Sequence, residues 1–98
     1  IKVMIQFKDI VFKQHPANPQ GICGEVTING FEISIIAGRG FYGSGRGTGV
    51  TLNDLDRVKF FEVMWWPTED AGEGELLMEP LSYQSISDIN NILKGFQK

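Results

Sequence analysis

The sequence predicts an α+β fold, an antiparallel sheet of about five strands with one C-terminal helix packed on it. Three observations carry this prediction. Short apolar segments alternate with polar residues and are separated by turn signals. An Asn-Gly dipeptide sits between two such segments. One amphipathic stretch of helical period closes the chain. With 98 residues, the chain is expected to be a single domain over 1–98.

In residues 1–13, Ile1, Val3, Ile5 and Phe7 alternate with Lys2, Met4, Gln6 and Lys8, so this segment reads as extended, with a bend at Asp9. "HPANPQG" (15–21) holds two prolines, an Asn and a Gly, and reads as a loop. Residues 22–37 carry the clearest local signal. Asn29-Gly30 is the preferred type I′ hairpin turn. A two-residue turn pairs Ile28 with Phe31, Thr27 with Glu32, Val26 with Ile33, and Glu25 with Ser34. Those pairs alternate apolar and polar, so turn chemistry and hydrophobic pattern agree on one register.

"GRGFYGSGRGTG" (38–49) then gathers six of the twelve glycines into a loop. "VTLNDLD" (50–56) is turn-rich, and its structure is left open. Residues 57–66 read as a strand, with Val58, Phe60, Met64 and Trp66 on one face and Phe61, Val63 and Trp65 on the other. Both faces are apolar, so either something covers the second one or it forms an interface. "PTEDAGEGE" (67–75) reads as an acidic loop, and "LLMEPL" (76–81) as a short edge strand. Ser85 is placed to cap a helix over 85–98, with Asp88 completing the cap. Ile86, Ile89, Leu93 and Phe96 form its apolar face, with Asn90, Asn91, Lys94 and Gln97 expected to face water.

The net charge of −3 and pI near 5.0 argue against a general nucleic-acid binder. Any anion site must therefore be local. The single cysteine, Cys23, allows no intramolecular disulfide and favours a reducing compartment. No apolar run has the length that spans a bilayer, and no cleavable leader is visible, so no membrane partner is expected.

"GRGFYG" (38–43) has the glycine spacing of a dinucleotide-binding turn, but glycines continue to position 49, so no helix can start there. No Gly-Lys-Ser/Thr follows, which excludes a P-loop. The loop offers another chemistry. Amides freed by successive glycines can form an anion-binding nest. Arg39 and Arg46 can fork onto phosphate, Phe41 and Tyr42 can stack on a base, and Ser44 lies between them. These five residues are the candidate ligand site. The competing readings are a mobile hairpin connection and a pair of RNA-contacting arginine–glycine repeats.

Cys23 and His15 are the only residues of their kinds. Cys23 falls inside the hairpin rather than at a helix N-terminus that would activate it. Two such residues cannot fill a structural zinc site. Glu69, Asp70, Glu73 and Glu75 read as a solvated acidic turn, without EF-hand spacing. No catalytic residue, metal site or cofactor is therefore expected, and the chain is not expected to be an enzyme. The candidate interface is Phe61, Val63, Trp65 and Trp66 on the most apolar strand.

Taken together, "FKDIVFKQHP", "NGFEISII", "FYGSG" and "FFEVMWW", with the short C-terminal helix, resemble a family of small, mostly uncharacterised proteins of tailed bacteriophages. This sequence departs from that pattern in its longer glycine loop with two arginines and in its Trp-Trp pair. The resemblance implies an accessory phage product made in the bacterial cytoplasm and acting on host defence. Two modes of action follow as expectations. One is binding of a nucleotide-like anionic small molecule through loop 38–49. The other is inhibition of a host protein through strand 57–66. The two-faced strand also leads to an expected homo-oligomer, a symmetric dimer being the commonest.

Overall fold

The computed structural model describes residues 4–68 and 79–98. These form strands β1 (Phe12–Gln14), β2 (Gly21–Ile28), β3 (Phe31–Gly38), β4 (Phe61–Pro67) and β5 (Leu81–Gln84), and the helix α1 (Ile86–Phe96). The strands make one antiparallel sheet in the order β1-β2-β3-β4-β5, a plain meander, with α1 packed on one face. The α+β fold follows directly.

The central hairpin has the register expected from its turn. Ile28 pairs with Phe31, Val26 with Ile33, Glu25 with Ser34, and Cys23 with Ile36. Asn29 and Gly30 both take positive φ, 49° and 83°, as a type I′ turn requires. Asn29 also donates to the Phe96 carbonyl at 2.6 Å, which ties the turn to the end of α1.

The core lies between the sheet and α1. Ile22, Ile33, Ile35, Phe61 and Val63 on the sheet meet Ile89 and Leu93 on the helix, all fully buried. The helix starts as its sequence indicates. The Asp88 amide donates to Ser85 Oγ at 3.1 Å, and the Ser85 amide donates to Asp88 Oδ2 at 3.0 Å. Ile86, expected on the apolar face, is instead exposed.

That cap makes stability depend on acid. Hydrogen bonds from the Ser85 amide and side chain hold the Asp88 carboxyl below the ordinary aspartate range. The Thr51 amide and hydroxyl do the same for Asp54. A folded-state pKa below the unfolded one gives stability that is present at neutral pH and lost as pH falls through the folded value. The Tm is therefore expected to drop below about pH 4. Asp88→Asn should lower the Tm at neutral pH and lose less of it in acid. Parallel Tm-versus-pH curves for the two proteins would rule this out.

Three sequence expectations change. Residues 5–13 are not one strand. A 3-10 turn forms at Phe7–Asp9, and only Phe12–Gln14 joins the sheet. Residues 5–7 run against α1 instead of β2. The Gln97 side chain accepts from the Ile5 amide at 2.7 Å and donates to the Ile5 carbonyl at 2.9 Å, while Asn90 accepts from the Phe7 amide at 2.8 Å. Gln97 and Asn90 thus do not face water. Their amide groups satisfy a backbone that has left the sheet. Phe7, once docked there, closes an aromatic cluster with Phe12 and Phe61, with centroids 5.2–5.6 Å apart.

The open segment after the glycine loop is a second 3-10 turn, Leu52–Arg57. It delivers Val58 to the core before the strand begins, so Val58 and Phe60 are not part of an alternating strand face. The acidic residues Glu69, Asp70, Glu73 and Glu75, and the first half of the expected strand 76–81, lie outside the described residues. The strand that completes the sheet is β5.

Candidate binding surface

The loop after β3 is built on one carbonyl. Gln20 O accepts from the Arg39 amide at 3.1 Å and from the Val50 amide at 2.9 Å, so both ends of the loop close on the same acceptor. Asn18 donates to the Arg39 carbonyl at 2.9 Å, and Arg39 reaches Gln20 Oε1 at 3.3 Å. Val50 is buried behind this closure.

Between those ends the backbone bonds to itself and to the start of β4. Gly40 N donates to Arg46 O at 2.8 Å, Gly43 N to Phe41 O at 3.0 Å, and Ser44 N to Phe60 O at 2.9 Å. Thr48 and Gly49 both donate to Gly45 O. A nest built on the Gly40 and Gly43 amides is therefore not the loop's arrangement. Amides at 39–41, 43, 44 and 48–50 are committed to carbonyls of the chain itself, and such donors are not available to a ligand. At Gly38, Gly43, Gly45 and Gly49 a Cβ would meet neighbouring atoms, so glycine there supplies close packing.

The five candidate ligand residues separate accordingly. Ser44 Oγ accepts from the amides of Lys59 and Phe60 at 3.1 and 3.0 Å, so its oxygen fastens the loop to the sheet. Phe41 turns inward, over Gly21, with its ring 5.1 Å from that of His15. Arg39 stays at the loop base with Gln20 and Asn18. Only Tyr42 and Arg46 are brought together at the surface. The guanidinium carbon of Arg46 lies 4.5 Å from the Tyr42 ring centroid, a cation–π contact.

Two aromatic residues that the sequence reading did not place in a site join them. Tyr83 donates its amide to the Tyr42 carbonyl at 2.9 Å, and its ring lies 6.4 Å from that of Phe60, edge to face. The exposures of Tyr42, Phe60 and Tyr83 are 47%, 44% and 50%; the Phe60 and Tyr83 rings touch, and Tyr42 is tied to Tyr83 through the backbone. Tyr83 also has φ +53°, beside an irregularity in the β4–β5 pairing. A bulky side chain in the left-handed region costs about 1–2 kcal/mol. Bulges and such strained residues are over-represented at functional positions, where they re-aim a side chain. The Tyr83 signal was not readable in "LSYQ", because nothing local demands a positive φ there.

The candidate interface residues also separate. Phe61 and Val63 are fully buried beneath α1, and Trp65 packs edge to face on Phe96 at 5.2 Å. These three belong to the chain's own core. The opposite face of β4 presents Glu62, Met64 and Trp66, with the Trp66 indole donating to Glu32 Oε2 at 3.1 Å. Inward-turned Phe41 lies over part of that side of the sheet, at Gly21.

Burial, followed by the nearby Glu25 carboxylate, pushes the Cys23 thiol up, which holds it as a thiol. His15 accepts from the Ala17 amide through Nδ1 at 3.1 Å. Among the described residues, no three His, Cys, Asp or Glu side chains gather as metal ligands, and no helix is long and apolar enough to cross a membrane. Compared with protein-family models, curated proteins and solved structures, the chain matches none.

Proposed function

We propose that this chain is a non-enzymatic interaction module that grips a protein through Tyr42, Arg46, Phe60 and Tyr83. The observation that carries this reading is a set of three half-exposed aromatic residues, joined by the Phe60–Tyr83 ring contact and the Tyr83–Tyr42 backbone bond, with a guanidinium over Tyr42. Tyr, Phe and Arg are enriched at protein interfaces, and Tyr and Arg supply many of the side chains that dominate binding energy. The patch is held by backbone hydrogen bonds from Ser44 and Tyr83, so little ordering entropy is lost on binding. The sequence resemblance to small phage proteins favours a bacterial host protein as the partner.

A second reading has its own support. The Arg46–Tyr42 pair suits a nucleotide-like ligand, the ring stacking on a base and the guanidinium meeting a phosphate. The cavity that reaches the loop includes Gly40 and Phe41 but neither arginine, which ranks this reading second.

The test compares three baits in a bacterial host lysate: wild type, Tyr42→Ala/Phe60→Ala/Tyr83→Ala, and the helix-surface control Lys94→Ala. A partner held by wild type and control should be lost from the triple variant, since each anchor contributes about 2 kcal/mol or more. Equal capture by all three sinks the proposal. A change in sedimentation between wild type and triple variant would make the partner a second copy of this chain. A rise in Tm with linear or cyclic nucleotides, abolished by Arg46→Ala, would establish the second reading instead.

A further inference from the structure

We propose that the sheet face opposite α1 holds a site for a small organic monocation, an alkylammonium or quaternary ammonium group, with Glu62 as its counter-ion. Strand alternation sends Ile36, Glu62, Met64 and Trp66 to the face away from α1. With Phe41 of the glycine loop they line a cavity of about 250 Å³.

Glu62 is the unusual member. It is only 7% exposed as a residue and lines the cavity, and among the described residues no buried side-chain oxygen is left without a partner. Glu32, paired with Trp66 on the same face, is held by the Trp66 indole. A single carboxylate in the wall of an otherwise apolar and aromatic cavity favours a cation over a neutral or anionic guest. The same charge repels phosphate, so this is not the site of the nucleotide reading.

The lining selects among cations. One carboxylate is too few for a metal, and no third ligand-type side chain is near among the described residues. Phe41, Trp66, Met64 and Ile36 favour a cation clothed in methyl or methylene groups. Aromatic faces attract such groups, tryptophan most strongly. The volume lies just under the ~300–1,000 Å³ of ordinary ligand pockets. It suits a headgroup of a few heavy atoms.

The test titrates wild-type protein with tetramethylammonium and with choline at constant ionic strength. The neutral isostere of choline, 3,3-dimethylbutan-1-ol, is titrated alongside. The readout is the NMR shift of the Trp66 indole N–H. Saturable shifts at roughly millimolar cation are expected, with the alcohol at least about tenfold weaker. Glu62→Gln keeps the shape and removes the charge. It should lose at least about tenfold for the cations while leaving the alcohol unchanged. If that variant fails to fold, wild-type discrimination between choline and its isostere decides alone. The absence of saturable shifts, equal affinity for choline and the alcohol, or an undiminished Glu62→Gln would each overturn the proposal.

Discussion

Phe61→Ala is expected to remove about 3–5 kcal/mol of stability, the usual cost of truncating a buried aromatic side chain. Phe61 is fully buried and sits between Phe7 and Phe12. Those two rings come from a 3-10 turn and from edge strand β1. Truncation therefore leaves a cavity and loosens the packing of both segments. Against a typical total of 5–15 kcal/mol, that loss is severe. At about 4–8 °C per kcal/mol for a domain of this size, the Tm should fall by at least about 12 °C. The adjacent Phe60→Ala is the control. Phe60 is half exposed, and its loss should cost about 1 kcal/mol or less. If urea unfolding shows the two variants to be equally stable, the aromatic cluster does not carry this part of the fold.

Gly38→Ala should be nearly as damaging, although it adds only one carbon. Gly38 ends β3 with φ +141° and pairs with Gly21 on β2. A Cβ there would lie 2.4 Å from the Gly21 Cα and 2.5 Å from the Gln20 carbonyl oxygen. Both obstacles are backbone, so no side chain can rotate away. Positive φ costs an alanine about 1–2 kcal/mol. Overpacking typically adds about 1–3 kcal/mol, for a total of about 2–5. The comparison is Gly40→Ala, where φ is +84° but a Cβ would meet nothing within 4 Å. Only the backbone part applies there, about 1–2 kcal/mol. Equal shifts in urea midpoint for the two variants would show that the approach of β2 to β3 can relax at no cost.

The fold was largely legible because its strongest signals are local. Asn29-Gly30 demands a particular turn, and the turn fixes eight residues of pairing around it. Ser85 and Asp88 mark a helix start for equally local reasons. The N-terminal segment was misread because its alternation is real but its partner is distant. Ile5 and Phe7 find their hydrogen bonds on Gln97 and Asn90, and no periodicity announces a side chain from the other end of the chain. The faces of β4 could be separated from sequence, but not ranked. Val58 and Phe60 counted towards the wrong face because the 3-10 turn at Leu52–Arg57 delays the strand to Phe61.

The candidate surface was half legible. Tyr42 and Arg46 stood out by composition, but so did Arg39, Phe41 and Ser44, which the loop uses to hold itself in place. Phe60 and Tyr83 had no signal, since their proximity depends on pairing across β4 and β5 and on one strained residue.

The closure of the glycine loop on a single carbonyl has an evolutionary consequence. Gln20 fixes where the loop leaves β3 and where it closes at Val50, and Ser44 fixes where it touches the segment leading into β4. The tip at Gly45–Gly47 lies beyond the Ser44 anchor and carries only Arg46 as side-chain chemistry. Lengthening such a segment is cheap, because each doubling of a flexible loop costs only about 0.6 kcal/mol in closure entropy. Mutation can thus explore new contacts at the tip while the β-meander keeps its register, so recognition can drift quickly on a scaffold that changes slowly.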